Sequence, residues 1–138
     1  MKNILGIDYG SSKVGLALGD SETKLASPFK VIAPADLFLE IERLIEHRGL
    51  DLAVMGLPLG LNSQETEQTK EVRQFAAELA EKISIPLVFE DERFSTAQAK
   101  KEGKASPTKR EARSGDDAVA AMYILQSYLD RTYGFGNS

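Results

Sequence analysis

The stretch Lys2–Gly19, KNILGIDYGSSKVGLALG, decides how the rest of the chain is read. Ile4, Leu5 and Ile7 form a short run of β-favouring residues closed by Tyr9-Gly10-Ser11-Ser12, and Val14, Leu16 and Leu18 then alternate with Gly15, Ala17 and Gly19. This pattern predicts a β-hairpin. Alternation sends Leu5 and Ile7 to one sheet face and Ile4, Gly6 and Asp8 to the other, so Asp8 stands against the sheet at the end of an apolar strand. An ionised carboxylate placed there needs a cation or hydrogen-bond donors, because burying it bare costs several kcal/mol or more. The same residue can also simply end the strand and cap the turn that follows. Both readings stay open from this segment.

Working outward, Ala26–Ile32 reads as a third antiparallel strand with Pro28 near its start, where a missing N–H does least harm. Pro34, Ala35 and Asp36 open a helix whose apolar positions Leu37, Ile41, Leu44 and Ile45 keep helical spacing until Gly49. Residues 51–56 (DLAVMG) make a short strand, parallel to an earlier neighbour because a helix precedes it. Residues 57–63 then form a loop at the strand's carboxyl end, the edge where open α/β sheets bind ligands. A second amphipathic helix is expected over 64–82, entered through Ser63 or Thr66, and a strand over 85–89 that runs into Glu90-Asp91-Glu92-Arg93. Residues 95–101 suggest a helical turn, and residues 103–114 (GKASPTKREARS) a flexible loop without apolar period. The final helix runs from Gly115-Asp116-Asp117 to about Arg131, apolar around most of its circumference over two turns, and about 132–138 reads as a flexible tail.

A chain of 138 residues with 42% hydrophobic and 28% charged residues has the composition and length of a single globular domain, 1–138. No apolar run approaches the ~20 residues of a membrane span, and Met1-Lys2-Asn3 leads straight into a strand, so a cytoplasmic protein is expected. With no cysteine, thiolate catalysis, disulfides and cysteine-based zinc sites are excluded. His47 is the only histidine and sits near a helix end, which disfavours a Ser-His-Asp hydrolase. Net charge is −4, yet residues 93–113 carry seven bases (Arg93, Lys100, Lys101, Lys104, Lys109, Arg110, Arg113) against two acids, a local +5. Such a stretch suits a phosphate-facing loop or a solvated segment.

Three acidic clusters remain: Asp8, Glu90/Asp91/Glu92, and Asp116/Asp117. A mixed sheet with the first and fourth strands adjacent, and the last helix laid across them, would bring all three to one edge. Carboxylates without histidine or cysteine suit hard cations such as Mg²⁺, whose coordination is usually completed by substrate phosphate and water. Two such ions can activate a water and neutralise a leaving oxygen without a histidine base. Each cluster has a structural alternative. Asp116 caps a helix start well, and Asp91 can pair with Arg93.

GIDYGSSKVGLALGD, AVMGLPLGLN, FEDERFST and GDDAVAAMYILQSYL together resemble the YqgF/RuvX family of RNase H-like nucleases, over nearly the whole chain and in the same order. The resemblance implies an α/β RNase H-like domain: a five-stranded mixed sheet, three antiparallel strands then two parallel, with helices on both faces. It assigns metal-binding and catalytic acids to Asp8, Glu92 and Asp117, with Asp116 as a further candidate, and Mg²⁺ or Mn²⁺ as cofactor. The chain departs from the family pattern at Phe94, where leucine is commoner, and in GLNSQET, where a glycine often follows the asparagine. The activity implied is hydrolysis of nucleic-acid phosphodiesters: maturation of the 5′ end of pre-16S rRNA, with the ribosome as partner, or resolution of Holliday junctions. Arg93, Lys100, Lys101, Lys104, Lys109, Arg110 and Arg113 are the expected phosphate contacts. A nucleic-acid or ribosome binding module that cleaves little is an alternative. An actin- or Hsp70-like nucleotide binder, suggested by G-x-D-x-G, is disfavoured because such proteins close two domains over ATP.

Overall fold

Strands β1 (Asn3–Tyr9) and β2 (Val14–Asp20) form the expected antiparallel hairpin, with Asp8 opposite Gly15 and Ile7 opposite Leu16. The structure is a computed structural model describing residues 1–93 and 116–134, with the backbone alone for Asp116. Strand β3 (Ala26–Ile32) adds antiparallel to β2, and the register slips where Pro28 and Lys30 face the consecutive pair Ala17 and Leu16. That bulge accommodates a proline on an edge strand. Strands β4 (Leu50–Leu57) and β5 (Leu87–Asp91) run parallel to β1 and to β4 respectively, giving the order β3-β2-β1-β4-β5. This is the five-stranded mixed sheet expected from the sequence.

Helices cover both faces. Helix α1 (Leu37–Arg48), after a short 3-10 turn over Pro34–Asp36, and helix α2 (Glu67–Lys82) pack on the face of Leu5, Ile7, Val14 and Leu16. Helix α3 (Asp116–Tyr133) packs on the opposite face, where Ala121, Ile124, Leu125 and Leu129 meet Ile4, Ala17, Leu52 and Val54. The alternation read from β1 therefore holds residue by residue. Each fully buried aliphatic side chain contributes about 1.5–3 kcal/mol, so α3 is held chiefly by its apolar stripe.

Boundaries shift for local reasons. Gly49 stops α1 in a left-handed conformation (φ 63°), its N–H bonding the Ile45 carbonyl at 3.2 Å. Helix α2 begins three residues later than its periodicity suggested. Thr66, not Ser63, is the cap: Thr69 N–H donates to Thr66 Oγ1 at 3.2 Å and Thr66 N–H to Thr69 Oγ1 at 3.0 Å. Strand β5 begins at Leu87 rather than Ile85, so Glu90 and Asp91 belong to the strand itself. Helix α3 carries Thr132 and Tyr133, the start of the stretch read as a tail, and Tyr133 packs against the core. The readings for 95–101 and 103–114 lie outside the described residues.

Candidate active site at the carboxyl end of the sheet

Two bare glycines show how the acids meet. A Cβ on Gly15, opposite Asp8, would lie 1.9 Å from the Asp117 carbonyl oxygen and 2.2 Å from its carbonyl carbon. The first turn of α3 thus rests directly on β2 beside Asp8. A Cβ on Gly56 would lie 2.5 Å from Ile124 Cδ1 and 2.9 Å from Glu92 Cγ, so the Glu92 side chain lies over β4. Strand β1 pairs Ile7 with Met55, and the same register carried one residue further sets Asp8 beside Gly56. Asp8, Glu92 and Asp117 therefore come from three separate elements to one face and one rim. Among the described residues no three His, Cys, Asp or Glu side chains are closed into a metal cage.

The neighbouring acids have other roles. Glu90 is fully buried: Ser127 Oγ donates to its Oε2 at 2.8 Å, and the Arg131 guanidinium donates to Oε1. Asp91 accepts the Arg93 N–H at 2.9 Å and its guanidinium at 2.6–3.1 Å, the pairing expected as the alternative to metal binding. The hydrogen bond from the Arg93 side chain holds the Asp91 carboxyl below the usual carboxylate range. Burial pushes the Glu92 carboxyl up, and the adjacent Asp91 charge adds to the shift. A cation near Glu92 would offset both effects.

Arg93, an expected phosphate contact, is held at the rim by Asp91 and by Ser63, whose Oγ accepts from Nη2 at 2.9 Å. Its side chain keeps 38% exposure, enough to meet a ligand from that position. Lys100, Lys101, Lys104, Lys109, Arg110 and Arg113 lie outside the described residues, as does the Asp116 side chain. Sequence reasoning missed Gly15 and Gly56 as the seats of Asp117 and Glu92, and Arg131 and Ser127 as the partners of Glu90. The alternation in VGLALG hinted at the first; nothing local signals an ion pair spanning 41 residues.

The donors at the rim are oxygen alone, which fits a hard divalent cation and excludes a soft thiolate site. His47 cannot join them as a base. It lies in the last turn of α1, which leads into the amino end of β4, whereas Gly56 and Glu92 mark the other end.

Residues 2–131 match the family model described as "RuvX: Holliday junction resolvase". A Rickettsia felis protein named "Putative pre-16S rRNA nuclease" is 40% identical over 131 residues, covering 92% of this chain and 85% of its own. A Rickettsia rickettsii protein of the same name is 38% identical over the same coverage. Among solved structures, Thermus thermophilus RuvC in complex with a Holliday junction substrate superimposes with a TM-score of 0.61 at 13% identity, covering 98% of each chain. That likeness shows a RuvC-like RNase H fold. With a family model matched along nearly its whole length and relatives this similar, the chain belongs to the RuvX family.

Proposed function

We propose that the protein is a divalent-metal-dependent endonuclease that hydrolyses nucleic-acid phosphodiesters, and that its substrate is the 5′ end of pre-16S rRNA. The observation that carries this is the delivery of Asp8, Glu92 and Asp117, from β1, the end of β5 and the start of α3, to one rim of one sheet face. Asp8, Glu92 and Asp117, with Asp116 as a further donor, would hold Mg²⁺ or Mn²⁺. Bound there, the metal would supply an activated water and neutralise the leaving oxygen. The protein's own part is positional: pairing with β2 fixes Asp8, Gly15 seats Asp117, and the pinned turn at Asp91–Arg93 directs Glu92 across Gly56. Arg93 and the basic residues Lys100, Lys101, Lys104, Lys109, Arg110 and Arg113 contact the phosphate backbone, which predicts salt-dependent affinity. Ribosome precursors are then the partner and the cytoplasm the location. No helix among the described residues is long and apolar enough to cross a membrane.

The family description and the RuvC-like fold favour a second reading, cleavage of four-way DNA junctions. Wild type and the variants Asp8→Asn, Glu92→Gln and Asp117→Asn, assayed on pre-16S RNA and on a junction with Mg²⁺, Mn²⁺ or chelator, separate the two. Cleavage lost in chelator and in each variant is expected; equal cleavage by Asp8→Asn would refute the assignment.

A further inference from the structure

The loop between β4 and α2 is braced more heavily than a connection requires. Asn62 and Ser63 adopt successive left-handed conformations (φ 58° and 61°), uncommon for residues with a side chain and persistent only where surroundings enforce them. The enforcement is visible. Gly60 N–H donates to the Gln64 carbonyl at 2.7 Å, Gln64 N–H donates to the Leu61 carbonyl at 3.1 Å, and Leu59 bridges Glu65. Arg93, itself clamped by Asp91, donates to Ser63 Oγ at 2.9 Å. The apolar side chain this turn displays is Leu61, 84% exposed. A lone exposed leucine needs no explanation on an ordinary loop. Here a strained and pinned turn exposes it two residues from Ser63, which is bonded to Arg93, the residue next to Glu92.

We propose that Leu61 is a nucleobase-contacting element: it packs against the face of a base next to the scissile phosphodiester, and the Arg93–Ser63 contact sets its position relative to Glu92. This rests on the nuclease reading. A base face is the apolar surface a nucleic acid can offer a leucine, and apolar side chains inserted at base steps are an established means of holding a distorted strand. The contact complements phosphate-directed cations, which hold the backbone without engaging bases.

The test uses the full chain and short pre-16S RNAs carrying 2-aminopurine beside the cleavage position, with binding measured in chelator. Leu61→Ala is expected to bind about fivefold more weakly, the affinity carried by roughly 1 kcal/mol of lost apolar burial, with a smaller 2-aminopurine response and an unchanged melting temperature. Leu61→Phe should retain both. An abasic site at the contacted position should weaken wild type and leave Leu61→Ala unaffected. Wild-type cleavage with Leu61→Ala equal in affinity and fluorescence would overturn this inference alone; a wild type that neither binds nor cleaves RNA would remove the nuclease reading and the inference together.

Discussion

Adding one methyl group at Gly15 should damage catalysis far more than stability. Its carbon would arrive 1.9 Å from the Asp117 carbonyl oxygen, where carbon and oxygen ordinarily keep about 3.3 Å. The obstacle is backbone, so no rotamer change relieves it, and the start of α3 must lift by roughly 1.4 Å, the shortfall between those two separations. Overpacking of this kind costs about 1–3 kcal/mol, part of a total stability of about 5–15 kcal/mol, and lowers the melting temperature by roughly 3–9 °C. A misplacement of about 1 Å at a reacting centre costs on the order of 100-fold in rate. Gly15→Ala should therefore remain folded while kcat/KM for metal-dependent cleavage falls about 100-fold. Gly6→Ala is the control. Its Cβ would meet Leu125 Cβ at 2.7 Å and the Ala121 carbonyl oxygen at 2.9 Å, on the same face but further from the rim. It should lose comparable stability and much less activity. Near-normal cleavage by Gly15→Ala, measured beside its melting curve, would show that the Asp117 seat is irrelevant to catalysis.

Arg131→Met should destabilise the fold by about 3 kcal/mol, because it strips the ionic partner from fully buried Glu90; a Glu90→Met/Arg131→Met double variant should recover most of that loss in chemical denaturation. Asp20 accepts the Thr23 and Glu22 N–H groups at 2.7 and 2.9 Å, and the Thr23 backbone bond is the largest cause holding its carboxyl below the ordinary value. Its stabilising contribution is thus complete above the unfolded value near pH 4 and disappears as pH falls through the lower folded value. Asp20→Asn should flatten the acid limb of the stability curve, and an unchanged limb would contradict the assignment. Mn²⁺ at 100 times its dissociation constant should stabilise wild type by about 2.7 kcal/mol and Asp8→Asn far less; equal thermal shifts would place the metal elsewhere.

Sheet and helices were legible because their signals are local. Alternation along β1 and β2 assigns each side chain to a face, and the 3.6-residue spacing of Leu37, Ile41 and Leu44 needs no knowledge of what covers them. Element ends were less legible where geometry outside the period intervened. The left-handed residues Asn62 and Ser63 delayed α2 to the Thr66 cap, and the β4 ladder put Glu90 and Asp91 inside β5.

For the site, the chain alone excluded thiolate chemistry, since it holds no cysteine, left a single histidine, and set candidate acids at Asp8, at 90–92 and at 116–117. Only tertiary structure shows which partners Glu90 and Asp91 find. Within Glu90-Asp91-Glu92 the three side chains have the same chemistry, and their partners lie at very different separations: Ser127 and Arg131 across the sheet for Glu90, Arg93 two residues on for Asp91. Local pattern records which way a side chain leaves its own backbone, whereas the charge it finds depends on which distant element the packed core brings there.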